Sequence, residues 1–276
     1  MVELGGGGAS ERADAEEDEA GGGVSAAARA TGASAQPAPR FYFQISESSA
    51  ATPLSIEEND ARAVMELVDR TGLARAEPQR ICGALLRAAD AEGALSKRAF
   101  DQCMQVLALG AQLKAQERTR CAVLLSSIYY AFDRGNDGRV DALELATGFS
   151  ILCGGNKSSK LVYAWDLLAD ADGALTRRGL WRYMRSFLTV LMALSSASGT
   201  LTAKELTRAV DDSAVWVSAR VFADLRAADA ATRITFTDLA DWYTEGLERS
   251  AAPGFMTSPW LELLDMSKWG AALGGA

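Results

Sequence analysis

The sequence predicts an all-α protein made of four helix–loop–helix units behind a disordered N-terminal tail. Three observations predict it. The six residues Leu86-Arg87-Ala88-Ala89-Asp90-Ala91 recur unchanged as Leu225-Arg226-Ala227-Ala228-Asp229-Ala230, with a third relative at Leu168-Ala169-Asp170-Ala171-Asp172-Gly173. Such internal repetition marks an array of like units. Aligned on a turn position (Gly93, Gly138, Gly173, Thr232) and on the apolar residue two places later (Leu95, Val140, Leu175, Ile234), four units emerge. The residues after each loop then fall at helical spacing: Phe100, Cys103, Met104 and Leu107; Leu145, Gly148, Phe149 and Leu152; Leu180, Tyr183, Met184 and Phe187; Leu239, Trp242 and Tyr243.

The chain opens with a segment that the composition leaves unfolded. Residues 1–40 are Gly, Ala, Ser and acids, with runs at Gly5–Gly8 and Glu16–Glu19 and no aromatic residue before Phe41. Such a stretch buries too little apolar surface to offset its ordering entropy. Phe41–Ile45 is abruptly apolar and reads either as a short strand or as an anchor for the tail; the tail region as a whole covers residues 1–54. Ser55-Ile56-Glu57-Glu58 reads as a capping box that starts a helix through Val64, Met65, Leu67 and Val68, ending at Thr71-Gly72.

The second unit carries the chemistry. Its loop, Asp133 to Glu144, has acids at positions 1, 5, 9 and 12, Gly138 at the sharp turn in position 6 and Val140 as the apolar anchor in position 8. A hard cation such as calcium takes six to eight oxygen ligands at about 2.3–2.6 Å, which a loop of this length can supply. Asp133 and Asp137 would give carboxylate oxygens, Arg139 its backbone carbonyl, Asp141 a water-bridged contact and Glu144 a two-oxygen clamp. Position 3 is Gly135, so one side-chain ligand is missing and an affinity of roughly 10 μM or weaker is expected. Before the loop, Cys121, Leu124, Leu125, Ile128, Tyr129 and Phe132 form one helical stripe; after it, Leu145, Phe149 and Leu152 form another, stopped by Gly154-Gly155.

The loop and its flanks resemble the calcium-binding hand of the EF-hand family. That resemblance covers residues 78–250 and implies hands working in pairs, with the position-8 residues joined in a short antiparallel pairing. It implies an N-terminal lobe over residues 55–153 (Leu95 against Val140) and a C-terminal lobe over residues 158–249 (Leu175 against Ile234), with residues 154–159 as linker. The other loops depart from the pattern. Hand one has Ala88 and Ala99 at its ends, hand three Leu168 and Gly179, hand four Ala227 and Asp238. Without the position-12 clamp these read as degenerate hands kept as scaffolding. The four-hand plan is similar to that of calmodulin-like and neuronal calcium sensors. A second resemblance, to the largely metal-free EF-hand region of dystrophin-type proteins, rests on Thr147-Gly148, Leu152-Cys153, Asp241-Trp242 and Trp260-Leu261 with Leu264.

Composition narrows the function. The chain has 28 Lys and Arg against 36 Asp and Glu, a net charge of −8, which argues against a nucleic-acid partner. There is no His, which removes the commonest general base, and no nucleophile or phosphate-loop motif; an enzyme is not expected. The four Cys are expected as buried free thiols in a reducing compartment. No apolar run is long enough to span a membrane, and Val2 replaces the Gly that a myristoyl anchor needs, so a cytoplasmic protein without a membrane anchor is expected. The expected function is that of a calcium sensor or regulatory adaptor acting on a protein partner, the alternative being a calcium-independent adaptor built on degenerate hands. The last segment, residues 250–276, reads as a docking tail. Pro253-Gly254 ends the preceding helix, and Ser258-Pro259 can start one that gathers Trp260, Leu263 and Leu264. It is expected to fill the groove of its own C-terminal lobe, covering the apolar run Phe187–Leu194, or else to stay free for a partner.

Overall fold

The structure, a computed structural model, describes residues 41–43, 54–56, 58–109, 113–195, 201–225 and 232–250. The N-terminal tail up to residue 40 and the segment from residue 251, with the helix expected around Trp260, lie outside the described residues.

Nine α-helices and three two-stranded antiparallel pairings make up the described chain. Strand β1 (Phe41–Phe43) pairs with β2 (Leu54–Ile56), so the apolar segment after the tail is a strand. Ser55 belongs to that pairing, and α1 (Glu58–Arg70) begins three residues later. The first unit is α2 (Pro78–Arg87), β3 (Ala94–Ser96) and α3 (Lys97–Leu107); the second is α4 (Ala115–Phe132), β4 (Arg139–Asp141) and α5 (Ala142–Phe149). The third is α6 (Lys157–Leu168), β5 (Ala174–Thr176) and α7 (Arg177–Ala193). The fourth is α8 (Ala203–Asp224), β6 (Arg233–Thr235) and α9 (Phe236–Ser250). Among the described residues no helix is long and apolar enough to cross a membrane.

The repeat is visible in the hydrogen bonds. Ser96, Asp141, Thr176 and Thr235 stand three places after each turn position, and each side-chain oxygen accepts from a backbone N–H of the helix that follows. Capping of this kind satisfies the orphan donors of a helix start. Gly93, Gly138 and Gly173 adopt φ of 78°, 73° and 73°, a region that costs glycine nothing. Strand β3 pairs with β4 so that Leu95 faces Val140, and β5 with β6 so that Leu175 faces Ile234. These are the partners that the EF-hand resemblance implies.

The two halves meet in one continuous core. Helix α5 is buried along nearly its whole length and lies against α2, α6 and α7, while α7 packs most extensively against α8. The crossing of α5 and α7 is close because Gly148 has no side chain; a Cβ there would sit 2.4 Å from the Ser186 carbonyl oxygen. Residues 154–159, expected as a linker, are tied down too. The Gly154 N–H donates to the Ala76 carbonyl at 2.8 Å, and Asn156 caps α6. The apolar run on α7 is covered within this core: Phe187, Leu188, Val190, Leu191 and Met192 are buried with α5 and α8 as the main neighbours.

Candidate metal centre

The loop from Asp133 to Glu144 begins where α4 ends. Asp133 is its C-cap and is almost fully buried, with the carboxylate turned inward. Asp133 Oδ1 accepts from the Asp137 N–H at 3.1 Å and Oδ2 from the Gly138 N–H at 3.0 Å, so the chain winds around this one carboxylate. Asn136 takes a left-handed φ of 53°, and its N–H donates to the Asp133 carbonyl. Asp137 Oδ1 accepts from Arg139 N–H at 3.0 Å. Asp141 Oδ1 accepts from the N–H groups of Leu143 and Glu144 at 2.9 and 3.0 Å. Below the loop, the Tyr129 hydroxyl lies 2.8 Å from the Leu95 carbonyl and 2.7 Å from that of Gly138, sharing its proton between the two. Trp165 makes the corresponding contact in the third unit, its indole N–H donating to the Gly173 carbonyl at 3.0 Å.

Glu144 and Asp141 face arginines. Arg182 Nε donates to Glu144 Oε1 at 2.9 Å and Arg182 Nη2 to Asp141 Oδ2 at 2.7 Å; Arg185 Nη2 donates to Glu144 Oε2. Burial pushes the Glu144 carboxyl up, but the hydrogen bonds and charges of Arg185 and Arg182 outweigh it and hold the group below the ordinary carboxylate range. Arg185 is positioned by the Trp181 ring, with its guanidinium carbon 4.1 Å from the ring centroid. The network extends to α8, where Asp211 accepts from Arg134 at 2.6 Å and lies 3.9 Å from Arg185.

The five residues expected to hold an ion are thus placed differently. Asp133 and Asp137 belong to the winding of the loop. The Arg139 backbone stands in the β3–β4 pairing opposite Ser96. Asp141 and Glu144, expected as a water-bridged ligand and a two-oxygen clamp, are engaged by α7. Among the described residues no three His, Cys, Asp or Glu side chains gather as a ready metal site. The donor set is nonetheless four carboxylates and a carbonyl, the hard oxygen chemistry that calcium takes. The buried Glu144 has a cationic partner on each of its oxygens.

Arginine fills the same part in two other loops. Asp90 Oδ1 accepts from the N–H groups of Glu92 and Ala94, and Asp170 Oδ1 from those of Asp172 and Ala174. The N–H of Ala94 does most to hold Asp90 below its usual range; desolvation opposes it, and the N–H of Glu92 and the charge of Arg139 add to the lowering. Arg139 reaches across the first loop pair to Asp90 at 2.7 Å and Glu92 at 2.9 Å. Arg233 does the same in the second pair, reaching Asp170 at 2.6 Å and Asp172 at 3.4 Å. Both arginines occupy loop position 7. Sequence reasoning assigned no side-chain role to either, although the recurrence of Arg at one position opposite two acids was there to be seen. The first five positions of the fourth loop lie within residues 226–231, outside the described residues.

The four cysteines are free thiols. The Cys82 thiol is pushed well up by a hydrogen bond with Cys153 and by burial, so it stays protonated at neutral pH. No family model matches the chain and no curated protein matches it. The functional reading therefore rests on the geometry.

Proposed function

We propose that this chain is an EF-hand protein of two paired lobes with one working calcium site, at residues 133–144, acting as a cytoplasmic calcium sensor or regulatory adaptor toward a protein partner. The observation that carries the reading is the contrast between loops. Only the loop wound around Asp133 has acids at both of its ends, whereas the first loop ends in Ala99 and the third in Gly179, with no clamp. In the filled site Asp133, Asp137, Asp141 and Glu144 would supply carboxylate oxygens and Arg139 its carbonyl; the ion would link the two ends of the loop. The chain's own contribution is to fix the loop by Gly138, by the Leu95–Val140 pairing and by Tyr129 beneath it.

Calorimetric titration of the full chain tests this. One calcium per chain is expected, with binding lost in Glu144→Gln, since the amide keeps the shape but removes the charged two-oxygen clamp. Two or more comparable sites, or a Glu144→Gln protein that binds like the parent, would refute it. The second reading, a calcium-independent adaptor, is favoured by the Arg182 and Arg185 pairs to Glu144. It predicts no heat of binding and an apolar-dye signal that is the same in calcium and in chelator.

A further inference from the structure

Helix α7 places Arg182 and Arg185 three residues apart, on one side of the helix, facing the end of the loop. Their positions are held from several directions. The close approach at Gly148 sets α7 against α5, the Trp181 ring stacks on Arg185, and Thr176 caps the start of α7. Both oxygens of Glu144 are used by these arginines, and the second oxygen of Asp141 by Arg182. A position-12 carboxylate serves calcium with both oxygens. Two guanidinium groups on these oxygens repel an arriving cation and compete with it for the carboxylate's lone pairs.

We propose that Arg182 and Arg185 form an internal counter-ion latch that holds Glu144 when calcium is absent and must release it for calcium to bind. The inference rests on the calcium reading above and adds the regulation of that site. Release has a defined destination. Asp211 on α8 already lies 3.9 Å from Arg185 and already holds Arg134 from the loop. Arg185 freed from Glu144 moves onto Asp211, so that filling the loop exchanges an α5–α7 ion pair for an α7–α8 one. Calcium affinity is thereby set partly by two residues 38 and 41 places beyond the clamp. The signal passes to α7 and α8 instead of staying in the second unit.

The test is calcium titration of the full chain carrying Arg182→Gln and Arg185→Gln together. The control is Arg177→Gln with Arg178→Gln, which removes the same charge from exposed positions in the first turn of α7. The latch variant should bind roughly tenfold tighter or more, since charge-assisted hydrogen bonds no longer oppose the metal. The control should shift much less. Calcium should also change the emission of Trp181, read as the difference between parent and Trp181→Phe, and that change should vanish in the latch variant. Binding in the latch variant alone, with none in the parent, supports the latch in its strongest form. Equal affinity in parent and latch variant overturns the latch and leaves the calcium site standing. A shift as large in the control overturns it too, by showing only net charge at work. No binding by either protein at millimolar calcium overturns the calcium reading and the latch with it. Should the Gln pair fail to fold by circular dichroism, Arg182→Lys with Arg185→Lys keeps the charge and removes the planar fork. The same direction of change is then expected, and unchanged affinity overturns the proposal.

Discussion

Tyr129 joins the loop to the core through a single hydroxyl. Burial, and after it the nearby carboxylates of Asp133, Asp137 and Asp101, push this phenol up to about 12 from an ordinary value of 10. The folded form therefore keeps the proton longer than the unfolded chain does. The stability this provides is complete below pH 10 and is lost as the pH rises from 10 to 12. Tyr163 is pushed up to about 12 as well, so it adds to the decline. Tyr129→Phe should cost about 1 kcal/mol at neutral pH and make the fall between pH 10 and 12 shallower. Denaturant titrations at a series of pH values measure both, and an unchanged slope would remove Tyr129 from the account. Gly135 offers a second test at this scale. A Cβ there would meet only the Asp137 carboxylate, at 3.5 Å, which is ordinary contact. Gly135→Asp should thus fit, restore the missing position-3 ligand and tighten calcium binding, with some loss to repulsion from Asp137. Weaker or equal affinity would contradict the ligand scheme.

At the scale of elements, the recurrent device is a loop pair closed by arginine. The Arg139 and Arg233 pairs are about half exposed, so salt should screen them. Arg139→Ala with Arg233→Ala should lower the melting temperature at low ionic strength and hardly change it at high ionic strength. A difference that persists in high salt would mean that the arginines act by packing. These elements also show what was legible in the sequence. The four units and the turn at Gly138 could be read because each depends on residues at fixed local spacing, while the Leu95–Val140 and Leu175–Ile234 pairings were implied by the EF-hand resemblance. The engagement of Glu144 could not be read. Its partners lie 38 and 41 residues away, and only the crossing of α5 over α7 brings them near.

For the whole molecule, the decisive contact is Gly148 against the Ser186 backbone. A methyl group there would meet a carbonyl that cannot rotate away, with Val190 and Phe132 also within 3.0 Å. Gly148→Ala should therefore destabilise the fold by about 1–3 kcal/mol despite the better helix propensity of alanine. Because the core runs through both halves, thermal unfolding of the parent should be a single transition by calorimetry and by circular dichroism. Two resolved transitions would show halves that melt independently.

The exposed peptide bond between Gly155 and Asn156 then takes on a different meaning. A chain divided there yields two pieces, each of which carries the surface that completes the other's interior. Residues 58–155 and 156–250, prepared separately, should be poorly ordered and prone to aggregate, as α5 and α7 would each expose an apolar side. Mixed, they should reconstitute by complementation, with helical circular dichroism restored in a one-to-one complex by light scattering. Two fragments that fold alone and ignore one another would show that the join between α5 and α7 is dispensable.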